Sequence, residues 1–171
     1  MMIKSGDIVL IDTNVILESY RLSCWGHLVQ EFELHTVTKV LEETQNGYCN
    51  RSTKIIDYGT LRDSFHHVYD VTQVDLLTCD MTYPNAKIMT LDPGERDLIT
   101  YATSLGKDCW LLCSPDKAAM RTTHALGCLD SVVSLETMLS VTSLQLKSKL
   151  RDNYTENWSS ITKTSIKFGA L

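Results

Sequence analysis

Long apolar runs are missing from this chain. No stretch of about 18 consecutive apolar residues occurs, so no transmembrane helix is expected. A secretory leader is missing too: Lys4 and Asp7 flank only the short apolar stretch Ile8 to Ile11, and no small-residue cleavage site follows. The expected compartment is the cytosol, with no membrane partner. Paired cysteine motifs are also absent. Cys24, Cys49, Cys79, Cys109, Cys113 and Cys128 form no CxxC pair, which argues against a zinc site. A cytosolic chain of this size does not rest on disulfides, so these residues are expected to be buried thiols acting as small hydrophobes. Basic excess is lacking as well: 16 Lys and Arg stand against 21 Asp and Glu, a net charge of −5. That is opposite to the usual footprint of a nucleic-acid binder and argues against tight nonspecific DNA binding. Clustered carboxylates neutralised by bound cations would account for part of it, and a basic partner chain remains compatible. Repeats and low-complexity runs are not found.

What is present suffices for one folded domain. The chain has 171 residues, 43% hydrophobic and 22% charged, enough for a single core and too few for two. Asp7 to Ile11 is apolar and β-branched, and reads as a buried strand of a parallel sheet. Asp12-Thr13-Asn14 then leads into a helix from Val15 to Arg21. Phe32 to Val37 is a second, weaker strand, followed by Thr38 as N-cap of a helix through Val40, Leu41 and Thr44 that stops near Asn46-Gly47. From Ile55 to Met81 the spacing is helical in places (Ile56, Leu61, Phe65, then Val74 and Leu77), with a short strand at Val68 to Val71 as the alternative in its middle.

Asp92-Pro93-Gly94-Glu95 marks a helix start, with proline just inside, and the helix should reach Leu105 and end at Gly106. Cys109 to Cys113 is another buried-strand run. Ser114-Pro115-Asp116 opens a helix ending near Gly127, and Ser131 to Leu139 reads as helical. This alternation predicts an α/β fold with a parallel sheet. Residues 1–140 form the domain, and 141–171 read as a C-terminal extension, a helix plus a tail.

The chemistry lies in the acids. Active sites of open parallel α/β sheets form outside the carboxyl ends of the strands. Asp12 follows the first strand directly, and Asp116 comes three residues after Cys113; if those strands are neighbours, both acids meet at one edge. Glu42-Glu43 and Glu95-Arg96-Asp97 add acidic positions on helices. Such a group repels itself unless cations sit within it, and its hard oxygens suit Mg²⁺ or Mn²⁺. The natural use is phosphodiester cleavage, in which metal ions activate water and steady the leaving oxygen.

Four segments together carry a resemblance: Ile8-Val-Leu-Ile-Asp12-Thr-Asn14, Val40-Leu-Glu-Glu43, Gly94-Glu95-Arg-Asp97-Leu-Ile-Thr-Tyr-Ala102 and Leu112-Cys-Ser-Pro-Asp116. In order and spacing they resemble the PIN-domain family, VapC-like nucleases included, over roughly residues 6 to 140. The resemblance implies a Rossmann-like sheet flanked by helices and a metal-dependent ribonuclease with RNA as substrate. It implies Asp12 as first acid, with Asn14 in support. Glu43, three residues after Val40, matches the second acid and leaves Glu42 facing elsewhere. Asp97 matches the third, with Glu95 the neighbouring glutamate of the Gly-Glu form of the motif. Asp116 matches the fourth, with Ser114 as a polar helper. An antitoxin or other protein partner and a homodimer are expectations of the same kind. Pro115 before Asp116, and the length of chain beyond Ser140, depart from the compact pattern.

Each acid has a plainer structural alternative. Asp12 and Asp116 are good N-caps, Glu95 and Asp97 suit the first turn of a helix, and Glu43 could lie on a solvated face. Such a chain would be a catalytically inactive binding module of the same fold. Aspartyl phosphotransfer is disfavoured because Asn14 stands where a second aspartate is wanted. His27, His35, His66, His67 and His124 show no metal-ligand spacing, and Lys39, Arg51, Lys54 and Arg62 read as scattered surface charges. Trp110 reads as core, and Trp158 as an anchor against the domain or a partner.

Overall fold

The computed structural model describes residues 3–45, 56–106 and 109–170. The expected helix stop at Asn46-Gly47, together with Cys49, Arg51, Lys54 and Ile55, lies outside them. The elements follow in the order β1 (Ile8–Ile11), α1 (Thr13–Arg21), α2 (Trp25–Glu31), β2 (Glu33–Val37), α3 (Thr38–Gln45), α4 (Tyr58–Asp63), β3 (His67–Tyr69), α5 (Gln73–Thr82), α6 (Pro93–Ser104), β4 (Leu111–Cys113), α7 (Lys117–Ala125), β5 (Val132–Val133), α8 (Leu135–Val141) and α9 (Glu156–Lys167). The α/β class expected from the alternation is what forms: a five-stranded, all-parallel sheet flanked by helices, an arrangement consistent with a Rossmann-like fold. None of the helices described is long and apolar enough to cross a membrane.

Strand order is β3-β2-β1-β4-β5. The chain builds outward from β1 to β2 and β3, then returns to β1's other side for β4 and β5. The direction of winding therefore reverses between β1 and β4, the crevice where open α/β sheets bind ligands. Both strands are apolar throughout, because helices cover the sheet; Val9, Leu10 and Ile11 have no exposed surface. Ile11 aligns with Cys113, and the Thr36 hydroxyl of β2 donates to the Ile11 carbonyl (3.0 Å), so three strands end in register at this edge.

Three sequence expectations change. Ser131 to Leu139 is not helical throughout: the β-branched pair Val132-Val133 aligns with Leu112 and Cys113 as an edge strand, and α8 starts only after Ser134 caps it by accepting from the Thr137 amide. The run from Cys109 is a strand only from Leu111, and Cys109 is exposed rather than buried; Cys24, Cys79 and Cys113 are buried as expected. The segment after Val141 also runs in the opposite order to a helix followed by a tail. An irregular stretch and a single 3-10 turn at Asp152–Tyr154 come first, and then α9, capped by Thr155 and burying Ser159, Thr162 and Ile166 at helical spacing. The Trp25–Glu31 helix carried no clear sequence signal.

The extension folds back on the domain. The Glu18 carboxylate of α1, fully buried, accepts from Arg21 Nε (2.8 Å) and from the Arg151 backbone (3.2 Å), while the Arg151 guanidinium lies 3.4 Å away. Arg21 donates onward to the Lys149 carbonyl, and the buried Tyr154 hydroxyl donates to the Asn14 carbonyl (3.1 Å). Residues 149–154 thereby brace α1 at both ends, through Asn14 and through Glu18 and Arg21.

Candidate functional site

Asp12 stands where β1 ends and α1 begins. Its position is that of an N-cap, yet its side chain caps nothing. It is 2% exposed, and its one side-chain partner is the Ser114 hydroxyl, which donates to Oδ2 at 3.3 Å. Burial pushes its carboxyl up to about 7; the negative charges of Glu43 and Asp116 add to this, while hydrogen bonds from the Thr13 backbone and Ser114 oppose it. A buried carboxylate without a cation is costly, and capping does not explain why the sequence keeps one here.

Glu43 comes from α3, which packs against both α1 and α6. The Thr13 hydroxyl donates to one of its oxygens (2.8 Å), and the Gly94 amide, at the start of α6, donates to the other (2.9 Å). The carboxylate lies so close to the Gly94 Cα that a β-carbon there would overlap it. Glycine is therefore required at this position by close approach rather than by backbone torsion. Glu95 follows on α6. Burial, then the charges of Asp116, Asp12, Asp92 and Glu43, push its carboxyl up to about 8. Four acids from four separate segments thus feel one another at the carboxyl edge of β1 and β4.

Asp116 does what its plainer alternative suggested. Its Oδ1 caps α7, accepting from the Ala118 and Ala119 amides at 2.5 and 3.4 Å, and leaves the second oxygen outside the cap. Ser114 links it to Asp12, accepting from the Asp116 amide (3.2 Å) as it donates to Asp12. Asp97 is placed differently from Glu95. Its Oδ1 accepts from Arg96 (3.0 Å), and its charge, after those of Glu42 and Glu43, helps raise Lys39. The two acids on α6, both half-buried, are therefore divided by their neighbours: Glu95 feels the charges of Asp116, Asp12 and Glu43, and Asp97 is held by Arg96. Glu42 is paired with Lys39 at 3.0 Å and faces away. Asn14 is half-buried, and its carbonyl, rather than its side chain, is the engaged group.

The histidines lie apart from these acids. His35 Nδ1 is 2.9 Å from the Tyr101 hydroxyl, and His35, His67, Tyr69 and Tyr101 pack as one aromatic group over β2 and β3. Trp110 is core, and Trp158 is half-buried. Sequence reasoning passed over Thr13, Gly94 as the seat of Glu43, Asp92, and the Tyr154 brace. Gly94 alone carried a signal, a glycine just inside a helix start where a helix former would be favoured.

Among the described residues, none of Asp12, Glu43, Glu95 or Asp116 forms an ion pair. Among the same residues, no three His, Cys, Asp or Glu side chains stand close enough together to enclose an ion as they are. The donor set, all carboxylate oxygen with Ser114 and Thr13 hydroxyls beside it, is nevertheless of the kind that hard divalent cations take. No family model matches the chain, and none of the curated proteins is significantly similar to it in sequence.

Proposed function

We propose that this protein is a metal-dependent endoribonuclease of PIN-like type, cutting RNA at the edge where β1 and β4 end. The observation that carries the reading is the convergence of Asp12, Glu43, Glu95 and Asp116 at the winding reversal, with burial and mutual repulsion raising Asp12 and Glu95 and, among the described residues, no ion pair relieving them. Like charges gathered with raised carboxyls are a mark of functional sites, and a cation between them would relieve the repulsion.

Mg²⁺ or Mn²⁺ would be held by Asp12, Glu43, Glu95 and the free oxygen of Asp116. When bound, such an ion supplies Lewis acidity, which makes water acidic enough to attack phosphorus near neutral pH and steadies charge on the leaving oxygen. The chain's own residues supply position. Ser114 orients Asp12; Thr13 and the Gly94 amide fix both oxygens of Glu43; Asp116 is held by the helix it caps. Asp97 serves at the rim with Arg96. A toxin with its antitoxin, a defence nuclease and an RNA-processing nuclease all use this chemistry, and a homodimer is the expected assembly.

The test is cleavage of a mixed RNA substrate by the purified chain with Mn²⁺, Mg²⁺ or EDTA. Cleavage should need the metal, and Asp12→Asn and Glu95→Gln should each slow it by about 10²-fold or more, while Asp97→Asn slows it less. Cleavage that persists in EDTA and in Asp12→Asn would sink the metal mechanism. Absence of cleavage together with absence of Mn²⁺ binding by calorimetry would instead identify an inactive binding module.

A further inference from the structure

A groove runs beside the acidic edge, and the C-terminal extension makes one wall of it. Lys117, the residue after Asp116, and Asn157, Trp158, Ile161 and Ser165 of α9 are among the residues lining it, around a volume of about 580 Å³. That volume falls within the range of ligand sites. Trp158 also lines the small cavity next to Ser114 and Pro115, so it stands between the groove and the end of β4. Lys117 is exposed and makes no ion pair among the described residues, Ile161 is 59% exposed, and Asp152, which also lines the groove, lies 3.7 Å from the Lys149 ammonium. Of the groove's charged residues, Lys117 is the cation and Asp152 the carboxylate; Lys163 and Lys167 of α9 turn instead to the Val132 carbonyl and to Asp130.

We infer that this groove binds single-stranded nucleic acid and leads it to the carboxylates, an inference that rests on the nuclease reading above. Lys117 meets a phosphate next to the scissile position, Trp158 offers an aromatic face to a base, and the Asn157 amide and Ser165 hydroxyl take sugar and phosphate oxygens. This is how single strands are held without strong sequence preference: a cation on the backbone and aromatic stacking on bases. It also gives a net-acidic protein a local way to hold a polyanion, and it gives the extension a task.

The experiment uses full-length Asp12→Asn protein and fluorescein-labelled oligoribonucleotide and oligodeoxyribonucleotide of one sequence, followed by anisotropy. Trp158→Ala should weaken binding about tenfold and Trp158→Phe less than about twofold, in the range of single stacking contacts. Lys117→Gln should weaken it several-fold and lower the salt slope by about 0.7, one phosphate contact on a single strand. Bound oligonucleotide should quench the tryptophan emission in the parent and not in Trp158→Phe, since Trp25 and Trp110 are buried. Lys117 is exposed, so its variant folds even if Trp158→Ala does not. Failure of either oligonucleotide to bind, or binding unchanged in Lys117→Gln and Trp158→Phe alike with no quenching, overturns the groove; a polypeptide as its true occupant gives that result. Metal-dependent cleavage by the unsubstituted chain with a silent groove removes this inference alone, and a responsive groove without cleavage removes the nuclease reading alone.

Discussion

Glu43 and Gly94, 51 residues apart in sequence, meet as acceptor and donor at 2.9 Å, with the glutamate carboxylate occupying the space a β-carbon at position 94 would need. The N-terminus of α6 therefore does two things to Glu43. It supplies an amide to one oxygen, and it leaves room for the other beside Thr13.

Gly94→Ala tests this contact. In an exposed helix the change would stabilise slightly, by about 0.5–1 kcal/mol. Here the methyl group displaces the carboxylate. The expected outcome is a folded protein by circular dichroism whose Mn²⁺ affinity, by calorimetry, falls by at least about tenfold, a loss of about 1.4 kcal/mol. Unchanged affinity would remove Glu43 from the proposed metal-binding set.

The raised carboxyls predict how stability varies with pH. In the unfolded chain both groups lose their protons near about 4, whereas in the fold Asp12 keeps its proton to about 7 and Glu95 to about 8, chiefly because of burial. Between those limits the native state binds more protons than the unfolded one, so stability falls as pH rises. The metal-free melting temperature should drop between about pH 5 and pH 8, and Asp12→Asn should flatten part of that drop while raising stability at the alkaline end. Added Mn²⁺ should raise the melting temperature more at about pH 8 than at about pH 5, since it binds the ionised form. A metal-free profile that climbs through this window would contradict the assignment.

Glu18 gives the opposite sign. Burial acts to raise its carboxyl, but the hydrogen bond from Arg21 and the Arg151 amide outweigh burial and hold it below the usual range. Arg21→Ala leaves a fully buried carboxylate with Arg151 as its remaining basic partner, and should cost about 3 kcal/mol in urea denaturation near neutral pH, the lower end for a broken buried pair. The loss should shrink as pH falls below about 4, where Glu18 is free to protonate. An equal loss at all pH values would indicate packing by the arginine stem instead.

Several of these features were legible in the chain itself. The β-branched run ending in Asp12 and the apolar run ending at Cys113 each read as a buried strand, and neighbouring parallel strands bring their ends together by necessity. Pro93 just inside α6 and Gly106 just past it, with a backbone φ of +85°, marked that helix correctly because both are local backbone effects. Val132-Val133 was misread because two residues carry no period, and only pairing with β4 makes them a strand.

The choice between Glu95 and Asp97 marks the boundary most sharply. Residues two apart on a helix point in different directions, so the pattern Gly94-Glu95-Arg96-Asp97, read as placing both acids at the site, left open which of them would meet Asp12 and Asp116. Helix phase is set by burial of Leu98, Ile99 and Ala102 against the rest of the domain, and that is a long-range quantity. The sequence by itself determined β1 and β4, the positions of the acids at their ends and the acidity of the edge, since these follow from local hydrophobicity and chain order. Tertiary structure alone decided that Asp12 is spared from capping while Asp116 is not, that Glu43 rests on Gly94, and that the extension returns to brace α1, because each depends on packing between segments far apart in the chain.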